Sequence, residues 1–288
     1  MDTTAKFDAE AFKAATRAQW DKHARGWSEH GEQVGRWLAE PTAAMLAMAE
    51  VGPGGRVLDV AAGSGEQTLE IAKRTGPGGY VLATDLSPAI LDFAKEKARR
   101  AGLHHVETRA ADGENLDVPE AAFDAAICRL GLMLFPDPAR GLREMFKALK
   151  PGGRACTLVF SSPDRNPCVA ALIATALKHA GLPPRDPYQP GGLLSLGKPD
   201  LIDALFRQAG FARVATTKLA VPFRLPSVKD YLDFVRNSAS PILHILAKLD
   251  AAGQEAAWAE MEGKLSVFAT PDGWVGPNEL LLTVGRRP

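Results

Sequence analysis

From Arg56 to Phe160, short β-rich apolar runs alternate with amphipathic stretches, and no other feature constrains the fold as much. RVLDVA (56–61), YVLATD (80–85), HVETRAA (105–111), FDAAICR (123–129) and RACTLVF (154–160) read as strands. Between them, 66–75 reads as a helix ended by GPGG, and 88–101 as a helix capped by Ser87 and stopped at Gly102. A further helix over 138–150 closes on PGG. Strands alternating with helices imply a parallel sheet with right-handed crossovers. The expected class is therefore α/β.

The flanks read differently. Phe12, Ala15, Trp20 and Ala24, then Val34, Leu38, Met45, Leu46 and Ala49, recur at helical spacing until VGPGG (51–55) ends the pattern. After Phe160 come a loop, an apolar helix over 168–180, a Pro/Gly-rich loop (182–192) and a helix over 199–209. Strands are expected at 214–221 and 279–284, with helices near 227–236, 240–250 and 253–266 between them. The expected organisation is an N-terminal helical segment (1–50), an alternating α/β core (51–160), and the rest of the sheet (161–288). That last part carries a helical cap at about 165–195 and 225–268.

Charge and cysteine usage narrow the partners. Lys+Arg and Asp+Glu balance at 34 each, which argues against nucleic acid as a bulk electrostatic partner. A 46% hydrophobic and 24% charged chain is ordinary for a globular protein. Cys128, Cys156 and Cys168 form no close pair, so neither a disulfide framework nor a structural zinc is expected. The first 20 residues lack the apolar core of a signal peptide, and no run is long enough to cross a bilayer. A cytoplasmic location and no membrane partner follow as expectations.

The segment VLDVAAGSGEQT (57–68) carries the chemistry: a strand ending in an acidic residue, a glycine loop, then a helix. Gly63 and Gly65 permit tight backbone angles and close approach of a ligand at the carboxyl end of a strand. Asp85 ends the next strand, 20 residues after Gly65, where a carboxylate can accept from both hydroxyls of a ribose; a helix N-terminal acid is the plainer alternative. This pair fits nucleotides in general, NAD included. Thr68, however, replaces the third glycine of a dinucleotide fingerprint, and Asp59, inside the strand, would repel a pyrophosphate. Asp59 needs donors, which loop amides or a ligand ammonium would supply. Asp112 and Gly113 end the third strand at the height of an adenine, or form a plain Asp-Gly turn.

In this order, VLDVAAGSGEQT, ATDLS, AADGENL, FDAAICRLGLMLFPD and LKPGG resemble the class I S-adenosylmethionine-dependent methyltransferases. More narrowly they resemble the branch holding the ubiquinone/menaquinone C-methyltransferases and many small-molecule methyltransferases. The resemblance, carried by about residues 50–160, implies a Rossmann-like seven-stranded sheet, mostly parallel, whose last strand is antiparallel; NELLLTVGRRP (278–288) would be that strand. It implies S-adenosylmethionine as cofactor, S-adenosylhomocysteine as product, and no metal. Ala61, Gly63 and Gly65 would line the methionine side, with Asp59 holding the loop near the methionine ammonium. Asp85 would bind the ribose, Leu86 would flank the adenine, and Asp112 and Gly113 would meet its edge. Arg129 would offer backbone atoms near the methionine amine, or its side chain would face the substrate. Trp20 and Trp27 fall where such proteins place aromatic lid residues, and Trp27 would either meet the sulfonium or pack the lid. The chain departs from the quinone enzymes at WDKHARGWSEHGEQVGRW (20–37) and FSSPDRNPC (160–168).

The acceptor side is less marked. Met133, Leu134 and Phe135 could form an apolar pocket, roofed by Phe223, Tyr231 and Phe234, so the acceptor is expected to be a small apolar or aromatic molecule. If a general base is needed, the candidates are His23, His30 and His244, each of which could instead be a packing or exposed histidine. O-, N- and C-methylation stay open, as do a monomer or a homodimer. The alternative functions are an NAD(P)-dependent oxidoreductase and a non-catalytic S-adenosylmethionine-binding protein.

Overall fold

The computed structural model describes residues 8–238 and 240–288. In chain order, the strands are β1 (Arg56–Val60), β2 (Tyr80–Asp85), β3 (Val106–Ala110), β4 (Phe123–Arg129) and β5 (Leu149–Phe160). They continue with β6 (Ala212–Ala220), β7 (Phe223–Leu225), β8 (Ala269–Thr270), β9 (Gly273–Gly276) and β10 (Glu279–Arg286). Seven of them form one sheet of order β3-β2-β1-β4-β5-β10-β6. Strands β1 to β5 pair in parallel, and β10 inserts antiparallel between β5 and β6. The central strands are buried along nearly their whole length because helices cover both faces. The edge strand β3 alternates half-buried positions with charge, and an Arg109–Glu107 ion pair marks it as an edge.

The helices are α1 (Ala9–Glu29), α2 (Gly31–Trp37), α3 (Ala39–Met48), α4 (Glu66–Thr75), α5 (Pro88–Arg100) and α6 (Pro138–Ala148). After β5 come α7 (Pro167–His179), α8 (Leu201–Gln208), α9 (Val228–Ser238), α10 (Ser240–Leu246) and α11 (Ala251–Leu265). Their ends obey local chemistry. Ser87 Oγ accepts from the Ile90 amide at 3.2 Å, with Pro88 in the first turn of α5. Asp137 and Asp250 cap α6 and α11 in the same way. Helices α9 to α11 interrupt the path from β6 to β10, so the seventh strand of the sheet is reached only at the end of the chain.

Two local features differ from the sequence expectation. Helix α6 stops at Ala148, and LKPGG runs as the start of β5 instead of closing the helix. A Cβ on Gly153 would lie 2.9 Å from the Asp124 carbonyl, so glycine lets β5 begin tight against β4. The second difference is a three-stranded sheet of order β7-β9-β8. Trp274 of β9 is buried, donates its indole N–H to the Leu265 carbonyl at 2.8 Å, and stacks on Tyr231. A strand of four residues bounded by glycines gives little periodicity to read in advance.

Cys128, Cys156 and Cys168 are free and buried. Among the described residues, no helix is long and apolar enough to cross a membrane.

Candidate active site

Strand β1 delivers the chain into a loop with three left-handed residues, Ala61 (φ 55°), Gly63 (φ 58°) and Gly65 (φ 92°). A Cβ on Gly65 would come within 2.8 Å of the Ala94 side chain, so only glycine lets α5 press this close. Asp85 ties the loop to the end of β2. Its Oδ2 accepts from the Gly63 amide at 2.9 Å and its Oδ1 from the Ser87 amide at 3.0 Å. Burial pushes the Asp85 pKa up, and the amides of Ser87, Gly63 and Leu86 oppose that shift.

Asp59 is fully buried beneath the loop. Its donors come from α4 and not from the glycine-loop amides: Thr68 Oγ1 donates to Oδ2 at 2.6 Å, and Gln67 Nε2 to Oδ1 at 3.3 Å. Burial raises its pKa to about 7, against these hydrogen bonds and the charge of Arg129. Arg129 is itself buried, and its Nη1 donates to Thr42 Oγ1 of α3 at 2.8 Å. Its side chain therefore points toward α3, and burial lowers its pKa against the nearby charges of Glu66 and Asp59.

The loop after β3 holds Asp112, whose Oδ1 accepts from the Glu114 amide at 2.9 Å. Lys13 of α1 reaches this loop, its Nζ lying 2.7 Å from both Asp112 Oδ2 and Glu114 Oε2. Burial would lower the Lys13 pKa, but the hydrogen bonds to Asp112 and Glu114 outweigh it and the net shift is upward. Gly113 presses on Phe135: a Cβ there would sit 2.2 Å from the ring. Phe135 thus belongs to the Asp112 loop and lines neither of the two cavities described below.

Helix α1 crosses this region. Besides Lys13, its Asp21 accepts from Ser87 Oγ at 2.5 Å, and Trp27 covers Gly63, whose Cβ would lie 3.3 Å from the indole nitrogen. Trp27 meets Trp20 edge-on at 5.4 Å and Phe234 at 6.1 Å. It also walls a cavity of about 90 Å³ shared with Trp37, Met133, Phe223, Tyr231 and Asn278. Of the acceptor candidates, Met133, Phe223 and Tyr231 meet here, together with Leu134 and Phe234. The Tyr231 ring stacks on Trp274 at 4.6 Å, and its hydroxyl makes no hydrogen bond among the described residues. Burial, then the nearby Cys168, pushes its phenol well above the ordinary range, so it stays a neutral donor.

The three candidate histidines lie elsewhere. His23 of α1 and His30, which caps its C-terminus, each donate Nδ1 to an α1 carbonyl, of Gln19 and Gly26, at 2.8 Å. His30 Nε2 also lies 3.5 Å from Asp233 of α9. His244 lines a separate cavity of about 1010 Å³ between α1, α7, α10 and the 182–194 loop. Lys13, Trp37 and Asn278 are site residues that sequence reasoning missed. Nothing local marks them, because each gains its place only by long-range packing. Among the described residues, no group of three or more His, Cys, Asp or Glu is arranged to hold a metal ion.

A parallel sheet with an inserted antiparallel strand, and a glycine loop bound to an acidic residue at the next strand end, define the fold of class I S-adenosylmethionine-dependent methyltransferases. The YcgJ protein of Bacillus subtilis shares it, with a TM-score of 0.59 at 18% identity over 86% of this chain and 98% of that one. The model of the ubiE/COQ5 methyltransferase family matches residues 39–177. A demethylmenaquinone methyltransferase of Deinococcus radiodurans is 32% identical over 167 residues, 54% of this chain and 67% of its own length. The chain belongs to the ubiE/COQ5 methyltransferase family. It is also 38% identical over 115 residues to the ubiquinone/menaquinone biosynthesis C-methyltransferase UbiE of Pasteurella multocida, a match over 40% of this chain. It spans only 43% of that relative's length.

Proposed function

We propose that this chain transfers a methyl group from S-adenosylmethionine to an apolar or aromatic small molecule whose reacting end enters the pocket beside Trp27. One observation carries the reading. Trp27 covers Gly63 of the Asp85-bound loop and at the same time walls the aromatic pocket, so donor and acceptor sites share one side chain. The cofactor supplies an activated methyl group and leaves as a neutral thioether. The chain's own residues bind, orient and exclude water. Ala61, Gly63 and Gly65 would line the methionine side, with Asp59 beneath and the Arg129 backbone beside them. Asp85 would hold the ribose through its remaining lone pairs. Leu86 would flank the adenine, and the Asp112–Gly113 backbone would meet its edge while Lys13 holds the Asp112 carboxylate. Helix α1 would serve as the lid.

Among the described residues no histidine lines the pocket beside Trp27, and its tyrosine stays protonated. The pocket therefore suits an acceptor that is nucleophilic without help from a protein base. The names of the quinone methyltransferase relatives, and the aromatic walls here, support an aromatic acceptor. Three free, buried thiols support a cytoplasmic setting. The test is to incubate the protein with S-adenosylmethionine and a panel of phenols, naphthols, amines and isoprenoids. Formation of S-adenosylhomocysteine in step with a methylated product is expected. Cofactor binding without turnover across the panel would leave a non-catalytic binding protein instead.

A further inference from the structure

The pocket beside Trp27 is too small for a whole acceptor. A cavity of roughly 150 Å³ is filled by one benzene, so this one, at about 90 Å³, admits the reacting edge of a ring and leaves the rest of the acceptor outside. Adjoining it is the cavity of about 1010 Å³, and the two share Trp20, Leu134, Leu193 and Pro241 as common walls. A volume near 1,000 Å³ is at the upper end for a drug-sized ligand. Its interior is apolar, built from side chains such as Phe12, Ile173, Leu177 and Ile245.

The charged lining is asymmetric. Lys178, Arg185 and Lys248 contribute cations, against Asp186 alone. Lys178 is engaged by Glu260 at 2.8 Å, and the Asp186 carboxylate accepts from the Tyr188 amide at 2.9 Å. Arg185 and Lys248 come from different segments, are exposed, and form no ion pair among the described residues. Two cations without an ion pair among the described residues, on a largely apolar cavity, complement a molecule with an apolar body and an anionic group.

We infer that the larger cavity binds the body of an elongated anionic amphiphile, a carboxylate on an apolar chain, with the anion held by Arg185 and Lys248. Its far end is directed across the Trp20–Leu134 wall into the pocket beside Trp27. The assignment of that far end as the methylated one rests on the methyl-transfer reading; the binding site itself does not.

The test is isothermal titration calorimetry on the full chain with dodecanoate, dodecan-1-ol and, separately, S-adenosylhomocysteine. Dodecanoate should bind at least tenfold more tightly than the alcohol. Arg185→Glu combined with Lys248→Glu should remove that preference while leaving the alcohol within twofold. Ala174→Trp, at an exposed position on the cavity wall of α7, should abolish both without changing S-adenosylhomocysteine binding. Equal binding of acid and alcohol to the unaltered protein, no binding of either, or indifference to charge reversal would each overturn the inference. Loss of S-adenosylhomocysteine binding in the unaltered protein would instead sink the methyl-transfer reading, so the two failures are separable.

Discussion

Lys13 and Asp112 are 99 positions apart in sequence, yet Nζ and Oδ2 lie 2.7 Å apart, and the same ammonium pairs with Glu114. The Lys13 and Glu114 side chains are only 11% and 4% exposed, so this clasp is desolvated, and removing its cation leaves the buried Glu114 carboxylate with the Asp137 amide alone. Because Asp112 is 30% exposed, Lys13→Met should cost about 3 kcal/mol, the lower end for breaking a buried ion pair. Thermal unfolding should show it as a melting point lower by several degrees. The double variant with Glu114→Gln should recover part of the loss. A melting point unchanged by Lys13→Met would show that the clasp does not hold α1.

Asp59 makes a pH prediction whose sign follows from its raised pKa. The unfolded carboxyl titrates near 3.8 and the folded one near 7, so the folded chain binds more protons between those values. The contribution is fully present below about pH 4 and is lost as pH rises through 7. The shift corresponds to about 4 kcal/mol. Other carboxylates slope the opposite way, so the readout is the difference between the unaltered protein and Asp59→Asn across pH 4–8. The variant should be relatively more stable at pH 8. A bound ammonium would favour the ionised carboxylate, so cofactor affinity should rise with pH up to 7 in the unaltered protein and stay flat in the variant. Parallel curves for both proteins would contradict this account of Asp59.

Gly113→Ala would push a methyl group into the Phe135 ring. Overpacking of this kind costs about 1 to 3 kcal/mol. Combining it with Phe135→Leu should restore much of the stability, as a double-mutant cycle on the melting points would show. Additive losses would mean the two residues are not coupled.

Tyr231 and Trp27 separate binding from chemistry. Tyr231→Phe removes a hydroxyl with no hydrogen-bond partner among the described residues, so the melting point should move by less than about 2 °C. If the hydroxyl orients the acceptor, kcat/KM should fall roughly tenfold for oxygen-bearing acceptors. On the proposed reading, in which one ring would wall both sites, Trp27→Leu should weaken S-adenosylmethionine and acceptor together. An effect of Trp27→Leu confined to one ligand would break the link between the two sites.

Much of the nucleotide-facing architecture was legible because it is punctuated locally. The bounds expected for α4 and β2 coincide with those observed, since Gly65, Gly76 and Gly79 mark their ends and the Ser87–Pro88 cap starts α5. Thr68 could be read as a missing glycine, but its bond to Asp59 could not, because that contact depends on how α4 packs under β1. The histidines illustrate the same limit. The sequence places His23 on α1 and His30 just past its end, but not the direction of their rings, which turn back to carbonyls of that helix. The small sheet around Trp274 and the cavity between α7 and α10 arise from contacts between distant segments. They leave no periodic trace in the sequence.

The most direct measurement is calorimetric titration of the protein with S-adenosylhomocysteine and with NAD, repeated on Asp85→Ala. The account predicts micromolar binding of S-adenosylhomocysteine, at least tenfold weaker in the variant, and no measurable binding of NAD. Tight NAD binding with none of S-adenosylhomocysteine would contradict it.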